Sequence, residues 1–363
     1  MTNHRTSVVY HSDMSFFAIL CALLIEQVKP LHRSNPIHTG LRTWADWVRQ
    51  HFDAGKEPHG KLVWGLTVGL PSIGVLLIHW LLVDTLGWPA AVVWNVVILY
   101  LTLGFRQFSH HFTDIRDALD NGDEEKARQL LAEWQQVDAS DLPKSEIVRH
   151  VIEYSVLAAH RHVFGVLTWY ALLAAIGLGP VGAVFYRMSE FAVRYWKPRH
   201  ASQLDLATQT QRLHHPVSDH LRDVTAHAWW LIDWLPARLT AIGFAIVGNF
   251  EDAIDSWRNF SEKLPTLDNN NDSLILAATS GAMNVRLGGE TLHPKSSVNN
   301  ASNIFENAEF DSNSIDANLA DTVSTPGREA EPAHLRSVVG LVWRLVVLWM
   351  LVLALLTLAN LLG

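Results

Sequence analysis

Among 363 residues there is one cysteine, Cys21, and it sits in an apolar run. A disulfide framework and a cysteine-based zinc site are both excluded. Positive charge is scarce as well: 28 Lys and Arg stand against 36 Asp and Glu, a net charge of −8. A nucleic-acid partner needs a basic face, and this balance offers none. Histidine is plentiful, at 19, but no HExxH pattern occurs. His110/His111, His160/His162 and His214/His215 are adjacent or two apart, so neighbours diverge on a helix. They read as ordinary surface or interfacial histidines, with no metal site assigned. The phosphate-cradling GxxxxGKS/T loop and the Gly-x-Ser-x-Gly elbow are also missing.

What the chain has instead is apolar residues in long blocks, 49% hydrophobic overall, with 15 Trp. Residues 62–83 contain no Asp, Glu, Lys or Arg, and a bilayer crossing needs about 20 apolar residues. Residues 88–105 return after a tight turn at 84–87, opening on Trp-Pro, where proline costs a helix least. Together they predict a transmembrane hairpin closed by Arg106. Upstream, 14–28 reads as a short retained membrane segment, since no small-residue cleavage pattern follows. The basic excess of 29–61 makes that loop cytoplasmic by the positive-inside rule.

Residues 107–162 are soluble in character. Ala127, Leu130, Leu131 and Trp134 fall at helical spacing in GDEEKARQLLAEWQQV, and a second helix runs from Pro143 or Lys144 through Glu153 towards the bilayer. The apolar block 163–186 is broken by GLGP at 177–180, which favours a hairpin over one kinked span. A polar, His-rich connector at 198–228 follows. The tail from 249 to 334 is rich in Asn, Asp and Ser and reads as disordered from about 299. A final span covers 338–362.

The segment 229–248, WWLIDWLPARLTAIGFAIVG, is the focus of the chain. It is long enough to cross a bilayer, yet it carries Asp233, Pro236 and Arg238. Charges in such a place cost roughly 2.5–3.5 kcal/mol each and mark functional sites by default. Asp233 and Arg238 are five apart, poorly spaced for pairing on a straight helix. Pro236 should kink or break the helix and free backbone carbonyls. The competing reading is an interfacial helix anchored by its tryptophans. A second stretch, SLILAATSGAMNVRLGGE at 273–290, is rich in small residues. Its Gly288-Gly289 pair would let backbone approach a ligand closely, or would simply stop a packed amphipathic helix.

These readings predict an all-α, polytopic membrane protein with a cytoplasmic helical insertion and a partly disordered polar loop. Its parts are N-terminal membrane helices over 1–106, the soluble insertion over 107–162 and membrane or interfacial helices with the polar site over 163–260. The polar loop over 261–337 and a C-terminal transmembrane helix over 338–363 complete it. Four to six spans are expected.

Several stretches, in order along the chain, carry a family resemblance. Asn35-Pro36-Ile37 stands where the family has His-Pro-Val, and LGFR at 103–106 is similar to its Leu-Gly-Leu-Arg. GDEEKAR…EIVRHVIE at 122–153 is similar to its soluble helical pair, including Arg149 and Glu153. GPVGAVFYR at 179–187, PARLTA at 236–241 and GAMNVRLGG at 281–289 are similar to three further motifs. The whole resembles the CobD/CbiB family of cobalamin biosynthesis, and its relative AmpE, from about Phe16 to about Gly289.

The resemblance implies a multi-pass protein of the bacterial inner membrane. It also implies a reaction: an aminopropanol unit, usually its phosphate, joined to a carboxylate of cobyric acid with MgATP. Glu153 and Asp233 are then the candidate catalytic residues. Arg106, Arg238, Asn271, Arg286, Gly288 and Gly289 are the candidates for binding phosphate or corrinoid.

The chain also departs from the family. Where the family has Glu-Asn-Thr-x-Asp-Gly, ungapped counting from Glu153 finds Leu157, Ala158, Ala159, Arg161 and His162. Its Asp-Asp-x-x-Asn becomes Trp229, Trp230 and Asp233. These losses, and the Asp-Trp-x-Pro-x-Arg-Leu form at 233–239, are AmpE-like. They imply the alternative of a catalytically degenerate signalling or accessory protein with a membrane-protein partner. A transporter is the weakest reading, because no inverted repeat is visible. The sequence reading expects Glu153, Asp233, Arg238 and Asn271 to meet in one cavity.

Overall fold

The computed structural model describes residues 3–28, 36–53, 55–135, 138–197, 217–263, 271–289 and 324–362. Every regular element among them is helical, with one isolated bridge between Val285 and Arg328. In chain order these are α1 (Asn3–Val28), α2 (Pro36–Phe52), α3 (Glu57–Leu86), α4 (Trp88–Thr102), α5 (Phe105–Asp120), α6 (Glu124–Gln135) and α7 (Lys144–Ala159). A π-turn (His160–Phe164) leads directly into α8 (Gly165–Ala175). Then come α9 (Val181–Trp196), α10 (Asp219–Val247), α11 (Phe250–Lys263), α12 (Asn271–Met283) and α13 (Pro332–Leu362).

Four helical stretches are long and apolar enough to cross a membrane: Pro58–Leu86, Lys144–Ala175, Asp219–Val247 and Pro332–Ala359. Phe16–Val28 and Trp88–Thr102 are shorter apolar helices. The protein is thus a helical membrane protein with four helical stretches able to cross a bilayer. α3 and α13 leave Leu70, Ile73, Leu77, Trp80, Leu81, Val347, Leu351, Leu355 and Leu358 exposed. Apolar surface on that scale marks a membrane or partner contact in a folded chain. Lys144–Ala175 is the opposite case, the most deeply buried of the four. It is the central post on which α5, α6, α9, α10, α12 and α13 lean.

Some boundaries differ from those expected. α3 runs on to Leu86, and Gly87 alone, at φ +78°, makes the turn into α4. The helix is not interrupted at 162, because the π-turn carries α7 straight into α8. Residues 219–228, expected in a polar connector, are the first turns of α10. Ser218 caps that helix by accepting from the Leu221 amide at 3.2 Å, while its hydroxyl donates to Asp53 at 2.8 Å. An oxygen on that cap satisfies one of the helix's orphan donors. Residues 198–216 lie outside the described residues, as does 299–323 of the tail expected to be disordered from about 299 to 334. The last part of that tail is instead ordered, with Thr325 bonded to Leu287, Arg328 to Arg286, and α13 beginning at Pro332.

The GLGP break does produce a hairpin, α8 against α9, and its packing rests on Gly182. A Cβ there would stand 2.0 Å from the Trp169 carbonyl oxygen. Backbone cannot yield to a side chain as another side chain would. Gly182→Ala is therefore expected to cost about 1–3 kcal/mol, read as a lower melting temperature in detergent. An unchanged melting point would mean that α8 and α9 do not meet here.

Candidate functional site

The site begins with the π-turn. Such turns are rare one-residue widenings of a helix and concentrate at functional sites. Here the turn places His160 and Arg161, neighbours in sequence, on two different structures.

His160 points into the dry centre of the molecule. Its Nε2 lies 2.9 Å from Asp233 Oδ1 and its Nδ1 lies 2.9 Å from the Thr240 hydroxyl. The Tyr186 hydroxyl donates to the same Asp233 oxygen at 2.8 Å. His160, Asp233, Tyr186 and Thr240 are all fully buried. Asp233 Oδ2 has no hydrogen-bond partner among the described residues. Tyr186 reaches the cluster over Gly165, where a Cβ would stand 2.1 Å from the phenol ring. Gly165→Ala should therefore push the Tyr186 ring off Asp233. The expected result is a loss of about 1–3 kcal/mol that is no longer additive with Tyr186→Phe in a double-mutant cycle. Additive losses would place Tyr186 elsewhere.

Pro236 does not break α10. Its missing N–H would have bonded the carbonyl four residues back, that of Ile232. The Trp169 indole donates to this carbonyl instead, at 3.0 Å. The freed acceptor is thus satisfied by the neighbouring helix, and the helix continues for another eleven residues to Val247.

Arg161 turns the other way, into a cavity of about 570 Å³. The end of α9 contributes Glu190, Arg194, Trp196 and Lys197, and the start of α10 contributes Asp219, Arg222, Asp223, Trp229 and Trp230. Asn271 and Asp272, the first turn of α12, close it. Arg161 donates to Asp272 at 2.5 Å. Glu190 is held between Arg187 at 3.0 Å and Arg194 at 3.3 Å. Burial holds Arg187 below the ordinary guanidinium range, and Arg194 adds to that against the opposite pull of Glu190. Trp229 packs on Tyr186, with ring centroids 5.2 Å apart, so the cavity wall touches the buried cluster. Four cationic side chains, four carboxylates and three indoles suit a ligand with an anionic group and a flat apolar body. At the same end of α9, Tyr195 donates to Asp46 at 2.7 Å. Burial first, and then that carboxylate, raise its phenol above the usual range.

A second buried centre joins α7 to the segment after α12. Glu153 Oε1 accepts the Gly288 amide at 2.7 Å, and Arg149 Nη1 lies 3.1 Å from the same oxygen. Arg149 also donates to the Gly288 carbonyl at 3.0 Å and pairs with Glu146. His150 Nδ1 lies 3.5 Å from Glu153 Oε2. The segment is entered through Asn284, which takes the left-handed conformation at φ +53°. The expected glycine stop of α12 is therefore an asparagine. Gly288 and Gly289 serve the latch on α7, with φ +76° and +120°.

The expected single hollow is therefore divided. Glu153 and Asp233 are sealed into separate buried clusters and line no part of the cavity. Asn271 does line it, and donates to the Trp230 carbonyl at 3.1 Å. Arg238 lies behind it, 3.5 Å from Asn271 Oδ1 and stacked 3.9 Å over Trp234. Arg238 and Asp233 form no pair. Arg286 is exposed, with its backbone amide on the Arg328 carbonyl. Arg106 lies in the first turn of α5, and its side chain falls outside the described part. His160, Arg161 and Tyr186 were not chosen from sequence as site residues. The signal for His160 and Arg161 was the run of polar side chains, HRH, inside an apolar helix, and Tyr186 stood in the GPVGAVFYR stretch without being singled out.

The arrangement defines a helical membrane protein with a charged, tryptophan-walled cavity beside a dry polar core. The CobD/Cbib protein family matches it over residues 16–192. The cobalamin biosynthesis protein CobD of Stutzerimonas stutzeri is 29% identical over 286 residues, covering 77% of this chain and 84% of that protein. The CobD of Chromobacterium violaceum is 27% identical, covering 64% and 68%, and that of Leptospira interrogans is 25% identical, covering 64% and 66%. No solved structure matches the chain. The chain is thus similar to the CobD/CbiB family, by the family model over residues 16–192 and by relatives 25–29% identical to it.

Proposed function

We propose that this protein acts in cobalamin biosynthesis, as a multi-pass protein of the bacterial inner membrane. The reaction assigned is the joining of aminopropanol, or its phosphate, to a carboxylate of cobyric acid. What carries the reading is similarity to proteins named for cobalamin biosynthesis; of the cavity's lining, Arg161 and Glu190 fall inside the stretch that the family model matches. The corrinoid is the substrate, with its flat body against Trp196, Trp229 and Trp230. Arg161, Arg194, Arg222 and Lys197 are the side chains that would take phosphate or carboxylate oxygens.

MgATP would supply the activation of the carboxylate. The phosphates fit the cationic wall. No group of three or more His, Cys, Asp or Glu is gathered as a metal site among the described residues. Magnesium, however, commonly needs only one or two carboxylates besides the nucleotide's phosphates. Asp219 and Asp223, one turn apart on the cavity wall, are the residues that would hold it.

A strain lacking the gene should stop making complete corrinoid and recover when given the amide product. Full synthesis in that strain without supplement would contradict the assignment. One observation favours a second reading, an AmpE-like accessory protein without catalysis. Glu153 and Asp233 are buried and committed to internal bonds, and neither lines the cavity. That reading predicts normal corrinoid in the deleted strain and no Mg-dependent nucleotide binding by the purified protein.

A further inference from the structure

We infer that the buried cluster of His160, Asp233, Tyr186 and Thr240 is a register lock, with His160 as a positioning residue that keeps Arg161 delivered into the cavity. The inference rests on reading that cavity as the working site, but its geometry stands apart from any activity.

A π-turn is a strained interruption of an otherwise regular helix, and a one-residue shift back to α-helical pairing would relieve it. Each residue of an α-helix turns about 100° from the last, so such a shift would swing Arg161 off Asp272 and out of the cavity. His160 opposes the shift. Its two ring nitrogens are taken at 2.9 Å by Asp233 and Thr240, two turns apart on α10. Tyr186, from α9, fixes the same carboxylate. The ring is therefore held at both nitrogens by α10, whose carboxylate α9 braces in turn, and all four side chains are fully buried. A rotated His160 would bury unpaired groups, which costs about 1–3 kcal/mol for each. Gly165, at the end of the turn, leaves the space the Tyr186 ring occupies. Turn, lock and glycine form one construction, and its product is the position of Arg161.

The test reads position directly. In the full chain, with Cys21→Ser removing the one native thiol, Arg161→Cys places a reporter at the turn. Ala226→Cys, on α10 and also lining the cavity, provides the control. Each is labelled with a small cationic methanethiosulfonate in detergent, in the presence and absence of His160→Leu. Thiol reactivity follows access and local charge. Loss of the lock should slow labelling at 161 by about tenfold relative to 226. A loosening of the whole protein would instead raise or lower both sites together, and that result, or an unchanged ratio, overturns the inference. Should His160→Leu fail to fold, Tyr186→Phe and Thr240→Val each remove one bond of the lock, and each should shift the same ratio in the same direction. Because no substrate is used, failure here is distinguishable from failure of the proposed reaction, which is read in corrinoid yield.

Discussion

Asp233→Ala is expected to cost about 3–5 kcal/mol of stability, because it breaks a buried pair by removing one partner. The carboxylate is wholly buried and receives both His160 and the Tyr186 hydroxyl on one oxygen. Without it, an imidazole and a phenol are left in a dry interior with no acceptor. Asp233→Asn keeps an acceptor oxygen in nearly the same volume and loses only the charge, so its loss should be clearly smaller. Unfolding in detergent micelles, followed by helical circular dichroism, measures both. Equal losses for Ala and Asn would show that charge, not hydrogen bonding, holds the cluster. No loss for Ala would remove Asp233 from the core altogether.

Arg149→Met should have an effect of the same size, about 3–5 kcal/mol. Glu153 would keep the Gly288 amide but lose the guanidinium that balances its charge. Glu146, partly exposed, would turn to water at little cost. The change should also loosen the strap from Val285 to Gly289, seen as faster hydrogen exchange at the Gly288 amide. Replacing both members, Arg149→Met with Glu153→Leu, should recover much of the loss, since an apolar pair of similar volume often matches a buried ion pair. A double variant as unstable as the sum of the two singles would mean that Arg149 and Glu153 are not coupled.

The parts of this fold that were legible in the sequence are those written in consecutive residues. The charge-free run inside α3, the Trp-Pro start of α4, the GLGP turn between α8 and α9 and the apolar stretch of α13 needed no partner to be recognised. What was not legible depends on distant contacts. Asp233 invited a search along its own helix, where Arg238 stood five residues on. Its partners lie 73 and 47 residues away, on the π-turn and on α9. Pro236 looked like a helix break because its orphaned carbonyl is visible locally, whereas the Trp169 indole that satisfies it is not. Glu153 and Gly288 were both singled out, but nothing in the chain between them says that one caps the other across 135 residues. A π-turn leaves no periodic signature of its own, and the HRH run at its start does not say which way each side chain will face. The scaffold and several residues of the two buried centres were therefore legible, whereas the cavity lined by Arg161, Arg194 and Trp229 was not.

The account stands or falls on what the cavity does. Full-length protein in lipid nanodiscs, given cobyric acid, aminopropanol phosphate and MgATP, can be assayed for the condensed corrinoid amide by mass spectrometry. The account predicts that the amide forms as ATP is consumed, and that Arg161→Ala reduces its rate by about tenfold or more, the loss of a charge-assisted contact. Folded protein that forms no amide, or forms it at the same rate without the Arg161 side chain, would contradict it.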